Sequence, residues 1–190
     1  MNRRPALFLD RDGVINIDHG YVNRSENFEF IDGIFNLCHA AQKMGFLLII
    51  ITNQAGIGRG YYTESDFHTL TEWMKEEFER HGISITDVYF SPYHPEFGIG
   101  EYKLDSSCRK PKPGMILQAV ADHNIDLSLS ALIGDKTSDI EAGIAAGVGL
   151  NIHFHSIQNI TPSNTTPNIA YLLDAIPLLE QHRSLINKPL

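Results

Sequence analysis

Three short apolar runs, each stopping abruptly on polar or acidic residues, leave this 190-residue chain few folds to choose from. Residues 6–9 lead into Asp10, Arg11, Asp12 and Gly13. Residues 46–51 lead into Thr52, Asn53 and Gln54, and residues 131–134 into Asp135 and, shortly after, Asp139. None of the three alternates apolar with polar, so each reads as a strand covered on both faces, as in a parallel sheet. Stretches of helical period lie between them. A helix over 32–45 carries Ile34, Leu37, Cys38 and Ala41 on one side with Gly45 as its stop. Another starts at Thr63 as N-cap and runs to about Arg80, with Phe67, Leu70, Trp73 or Met74, and Phe78 on its inner side. Strand alternating with helix predicts an α/β fold: a three-layer, Rossmann-like parallel sheet with helices on both faces and right-handed crossovers, in a single domain over 1–190.

The remaining elements are a strand at 87–90, a long irregular segment at 91–112, a helix at 114–124, and a helix at 139–146 capped by Thr137 or Ser138. A strand at 148–154, a Ser/Thr/Pro/Asn-rich loop and a helix at 169–181 follow, with a frayed end. The glycines of 56–60 could let backbone N–H groups approach an anion, but a flexible turn is the simpler reading, and no Gly-Lys-Ser/Thr ending marks a nucleotide-binding loop.

Charge and composition remove several functions. Acidic residues number 23 against 15 basic ones, for a net charge of -8, which argues against nucleic acid as a partner. Cys38 and Cys108 are too few for a disulfide framework or a thiolate zinc site, which suits a reducing cytoplasm. No apolar run is long enough to cross a membrane, and the N-terminal arginines lack an apolar signal core after them. A protein of this charge that handles phosphate is expected to bind a small phosphorylated molecule locally.

Ligands in such sheets bind beyond the carboxyl ends of the strands. Asp10 and Asp12, two apart on extended backbone, can face one pocket there, where they repel unless a cation lies between them or one is protonated. They fit a Mg²⁺ site with one attacking and one proton-shuttling carboxylate, or else a solvated turn. The loop Asp18, His19, Gly20 and Tyr21 is either a set of substrate contacts or ordinary surface. Arg109 and Lys110 precede two prolines and a helix, an arrangement that holds cations for phosphate. Carboxylates for a metal, donors for a phosphoryl oxygen and a cation for its charge are together the requirements of phosphoryl transfer.

The motifs Asp10-Arg11-Asp12-Gly13, Thr52-Asn53-Gln54, Lys110 and Gly134-Asp135-Lys136-Thr137-Ser138-Asp139 resemble those of the haloacid dehalogenase superfamily of phosphatases. Asp18-His19-Gly20-Tyr21-Val22, 27–31 and Cys108-Arg109-Lys110-Pro111 bring it closest to the branch of heptose bisphosphate and histidinol phosphatases. The resemblance implies a sugar bisphosphate phosphatase with Asp10 as nucleophile and Asp12 as acid and base. Mg²⁺ would be held by Asp10, the Asp12 carbonyl and Asp135. Thr52, Asn53 and Lys110 would bind the phosphoryl group, and Gln54, Arg109, Lys136 and Asp18 to Tyr21 the rest of the substrate. Asp139 would orient Lys136 or the metal's surroundings, no large cap domain would cover the site, and the protein would be a monomer. A histidinol phosphatase, or a catalytically silent relative that binds a phosphorylated ligand, are the alternatives. One departure stands out. Relatives that carry zinc have Cys-x-His and Cys-x-Cys ahead of Arg-Lys-Pro, where this chain has Ser91, Tyr93, Ser106 and Cys108. One thiolate cannot hold structural zinc, so none is expected, with His94 and Cys108 packed or hydrogen-bonded instead.

Overall fold

Alternate residues of the central strands enter two different cores, as their unbroken apolar sequence requires. In the computed structural model, which describes residues 3–155 and 166–186, strand β1 is Ala6–Leu9, β2 is Leu47–Asn53 and β4 is Ala131–Gly134. Leu7, Leu9, Leu48, Ile50 and Ile133 face one side of the sheet, where they meet the helices α1 (Ile34–Lys43), α3 (Glu64–Arg80) and α6 (Ala175–Ile186). Ala6, Phe8, Leu47, Ile49, Ile51 and Leu132 face the other, against α4 (Gly114–His123) and α5 (Thr137–Ala146). Phe8 is fully buried, worth about 1.5–3 kcal/mol on its own.

With β3 (Asp87–Ser91), β5 (Leu150–Phe154) and β6 (Asn168–Ile169), the sheet has the order β3-β2-β1-β4-β5-β6, every pairing parallel. The chain moves outward from β1 to β3, then returns to place β4 on the other side of β1. That reversal opens a crevice at the carboxyl ends of β1 and β4. The segments 10–33 and 92–113 border it, and among the described residues neither carries a helix longer than one turn of 3-10 geometry. No described helix is long and apolar enough to cross a membrane.

Several boundaries differ from those expected. Val148 donates its N–H to Gly143 O and so closes α5, which delays β5 to Leu150. Asn168 and Ile169, expected to open a helix, pair with His153 and Phe154 as β6, and α6 begins only at Ala175. Helix α5 starts at Thr137 with Lys136 as N-cap, and Asp139 Oδ2 accepts the Lys136 N–H at 2.9 Å, so neither Thr137 nor Ser138 is the cap. Thr63 does cap α3, reciprocally with Asp66. The glycines after β2 form a buried one-turn helix, α2 (Ala55–Gly58), rather than a flexible turn: a Cβ on Gly56 would lie 2.2 Å from the Tyr62 ring. Most of the Ser/Thr/Pro/Asn-rich loop, and residues 187–190 of the end expected to fray, lie outside the described residues.

Candidate active site

The crevice holds a cleft of about 520 Å³ whose floor and rim are built differently. Its floor comes from strand ends. Asp10 follows β1, its N–H still bonded to Ile133 O at 3.1 Å, and Thr52 is the last residue but one of β2. Lys110, brought in just before α4, is 3% exposed, and its ammonium lies 2.7 Å from Asp10 Oδ1, 2.7 Å from Asp139 Oδ1 and 2.8 Å from Ile51 O. The contacts to Asp10 and Ile51 are hydrogen bonds, and that to Asp139 is an ion pair. Burial acts to lower the Lys110 pKa, but the Asp10 and Asp139 charges outweigh that and hold it above the ordinary value.

The carboxylates are not balanced by this one lysine. Ligand oxygens of Asp10, Asp135 and Asp139 lie within 4.8 Å of one another. Burial, with repulsion from Asp139 and Asp135, pushes the Asp10 pKa well up despite Lys110, and burial raises Asp135 to about 6. Asp135 Oδ1 is buried with no hydrogen-bond partner. Gly13 admits this carboxylate: its φ is +100°, and a Cβ there would lie 2.2 Å from Asp135 Oδ2. Surplus buried negative charge and an orphaned oxygen on hard ligands are what a small divalent cation satisfies. Asp139 meets Lys110 at Oδ1 and the Lys136 N–H at Oδ2, whereas Asp10 meets Lys110 at Oδ1 and Asp135 Oδ1 is unpartnered, so Asp10 and Asp135 are the carboxylates better placed for a cation.

Asp12 is gripped from behind. Arg11, 1% exposed, forks onto both Asp12 oxygens at 2.9–3.2 Å, Asn16 Nδ2 donates to Oδ1 at 3.1 Å, and Gln54 Nε2 donates to Oδ2 at 2.9 Å. The same Gln54 nitrogen donates to Thr52 Oγ1 at 2.7 Å, which leaves the Thr52 hydroxyl proton for another acceptor. Arg11 can only donate, and with Tyr62 it points at Gln54 Oε1, at 3.2 and 2.5 Å, so the amide is oriented with its nitrogen toward Asp12.

Residues 107–150 match the HAD-hydrolase-like family model. A D-glycero-α-D-manno-heptose-1,7-bisphosphate 7-phosphatase of Burkholderia mallei is 60% identical over 147 residues, covering 77% of this chain and 78% of that one. The chain belongs to this family of HAD-like phosphatases. Its relative in Escherichia coli K12, a D-glycero-β-D-manno-heptose-1,7-bisphosphate 7-phosphatase, is 46% identical over 158 residues, 83% of each chain. The crystal structure of a HAD-like phosphatase from Mesorhizobium loti superposes with a TM-score of 0.85 at 30% identity, over 95% of this chain and 88% of that one. A D,D-heptose 1,7-bisphosphate phosphatase of B. bronchiseptica shares the fold at 22% identity, with a TM-score of 0.78 over 93% and 98% of the two chains.

Most of the expected HAD-like site residues reach the cleft. Asp10, Asp12, Thr52, Asn53, Gln54, Lys110, Arg109 and Lys136 line it, with Asp18, Gly20 and Tyr21. Two of them are placed there for other work than expected. The Asn53 amide is spent on the Lys110 peptide, accepting its N–H at 3.1 Å and donating to its carbonyl at 3.0 Å, and Gln54 is committed to Asp12 and Thr52. His19 lines a separate hollow with Glu26 to Glu29 and lies 3.5 Å from Glu29. Arg109 Nη1 donates to Tyr93 O at 3.0 Å, and Lys136 bridges to Asp18 at 3.0 Å. Sequence reading missed Arg11, Asn16 and Tyr62 behind the floor; a basic residue between two strand-end carboxylates was the available signal for the first.

The segment around Ser91, Ser106 and Cys108 is closed by hydrogen bonds. Cys108 Sγ lies 3.4 Å from Ser91 Oγ and 3.1 Å from Ser106 Oγ, which also accepts the Cys108 N–H. His94 Nδ1 accepts the N–H groups of Glu96 and Phe97.

Proposed function

We propose that this chain is a Mg²⁺-dependent phosphatase that removes the C7 phosphate of D-glycero-D-manno-heptose 1,7-bisphosphate, acting as a monomer in the cytoplasm. What carries the reading is the convergence of Asp10, Asp12, Thr52 and Lys110 on one cleft floor in a chain 60% identical to a phosphatase named for that substrate. Asp10 attacks phosphorus in line as the bond to the sugar oxygen breaks, giving an aspartyl-phosphate. Asp12 gives a proton to the leaving oxygen, then takes one from the water that attacks phosphorus and returns Asp10 with release of phosphate. For either transfer an Asp12 oxygen must give up one of the donors behind it. Lys110 and the Thr52 hydroxyl face the charge that gathers on the phosphoryl oxygens. Asp10, the Asp12 carbonyl and Asp135 would hold Mg²⁺, which supplies positive charge to the phosphoryl oxygens and to the crowded carboxylates. Arg109 and Lys136 would hold the other end of the sugar. Structural zinc has no part in this reading, since Ser91, Ser106 and Cys108 bond one another.

The α anomer is the expected preference, because the 60% identical relative is named for it while those at 46–49% are named for the β anomer. The test is phosphate release with Mg²⁺ from both anomers and from histidinol phosphate, with Asp10→Asn as blank and zinc measured on the purified protein. A kcat/KM at least about a hundredfold higher for one heptose anomer than for histidinol phosphate, worth about 2.7 kcal/mol, supports the assignment. Equal and poor turnover of all three would leave the chemistry and remove the substrate.

A further inference from the structure

One guanidinium, carried just after α2, joins the two segments that border the cleft. Arg59, at the end of α2, donates from Nη1 to Tyr21 Oη at 2.7 Å. Its central carbon lies 4.6 Å from the Phe97 ring centroid and 5.9 Å from that of Tyr21. Tyr61 meets the Tyr21 ring edge-on at 4.7 Å, and Ile99 N donates to Gly58 O at 2.8 Å, tying the segment after β3 to the same turn. Tyr21 needs this support: its φ of +56° is costly for a residue with a Cβ, by about 1–3 kcal/mol, and persists only where the surroundings impose it. Because the Tyr21 oxygen accepts from Arg59, its own proton is left for an acceptor in the cleft that Tyr21 lines, and donation into a hydroxyl strengthens the bond it gives out.

We propose that Arg59 is a positioning residue for the outer end of the cleft, fixing Tyr21 so that its hydroxyl donates to the anionic group of the substrate that is not being transferred. This rests on the bisphosphate reading above. The side-chain contacts of Arg59 are with Tyr21 and Phe97 of the rim, so it acts on substrate affinity and not on the chemical step.

The test is steady-state kinetics of the wild type, Arg59→Met, Arg59→Lys, Tyr21→Phe and the Arg59→Met/Tyr21→Phe double variant, on the heptose bisphosphate and on p-nitrophenyl phosphate. Arg59→Met is expected to raise KM for the bisphosphate about tenfold, with kcat within about twofold and the monoester kinetics unmoved. Arg59→Lys should recover part of the loss. Tyr21→Phe should raise KM similarly, with the double variant no worse than the poorer single one, because both remove one linked interaction. An unmoved bisphosphate KM in Arg59→Met, losses that multiply in the double variant, or a loss on both substrates would overturn the proposal while the functional reading stood. A wild type that hydrolyses the monoester and not the bisphosphate would overturn both.

Discussion

Lys110, on the cleft floor, is buried with three oxygens within 2.8 Å of its ammonium, whereas Lys136, on the rim, is about half exposed and meets Asp18 at 3.0 Å and Asp135 only at 3.9 Å. Both are lysine-aspartate pairs over the same cavity, yet their surroundings give them different weight. At the floor, a charge removed from water depends on its partners, so losing one strands the others. At the rim, solvent screens the pair and its worth to stability falls to about 0–1 kcal/mol. On the floor, Asp10 and Thr52 stand at strand ends whose positions the sheet dictates, and Lys110, carried in by the segment before α4, is tied to that sheet through Asp10 and Ile51 O. On the rim, Lys136 caps α5 just beyond β4, but its partner Asp18 is carried by the 10–33 segment.

This contrast can be broken most forcefully at Lys110. Lys110→Met should lower kcat by about a thousandfold or more, through loss of charge at the phosphoryl oxygens, and should cost about 3–5 kcal/mol of stability by leaving Asp10 and Asp139 unpaired. Kinetics and urea melts measure both, and a loss confined to KM would put Lys110 on the rim in function. One step behind it, Asn53→Ala removes two hydrogen bonds that hold the Lys110 peptide. A fall in kcat of about tenfold and a stability loss of about 1–3 kcal/mol are expected, while unchanged kcat would mean that Lys110 needs no such splint.

At the rim, Lys136→Met should leave kcat within about threefold and raise KM for the bisphosphate about tenfold, with little change in melting temperature. A collapse of kcat would move Lys136 into the chemistry. The smallest effect is the pH dependence of the Asp18 pair. Burial acts to raise the Asp18 pKa, but the Lys136 hydrogen bond and charge, with the Gly20 N–H, hold it below the ordinary carboxylate value. A depressed folded pKa contributes stability that is fully present above the unfolded value, about 4, and is lost as pH falls through the folded one. The difference in melting temperature between wild type and Asp18→Asn should therefore be small but constant near neutrality and vanish in acid. A difference that grew as the pH fell would show the sign to be wrong.

How much of this was legible in the sequence follows the same division. The doubly buried strands β1, β2 and β4 announced themselves, because a run such as 47–51 has no other place to put its apolar side chains than two cores. The cap at Thr63 was readable because it is local, satisfied by Asp66 three residues on. Asn53 and Gln54 were placed at the site, but the side-chain bonds they make there were not legible. An amide presents donor and acceptor alike, and what decided Asn53 was a peptide 57 residues away. The start of β5 was misread for a related reason: Val148 is apolar enough for a strand but is held by the helix it closes. The two-residue strand β6 had no periodicity to show, being defined by its pairing with β5 alone. The glycines of α2 looked like flexibility, while the ring of Tyr62 shows that Gly56 buys closeness.

The central claim is that the floor works through a covalent phosphoryl group on Asp10, and rapid acid quench of a single turnover, followed by mass spectrometry of the peptide holding residues 5–11, tests it most directly. The wild type with Mg²⁺ and the bisphosphate is expected to show the mass of one phosphoryl group on Asp10 that rises and then decays as phosphate appears, with none in Asp10→Asn. Phosphate released at full rate with no adduct on that peptide, or an adduct on another residue, would contradict it.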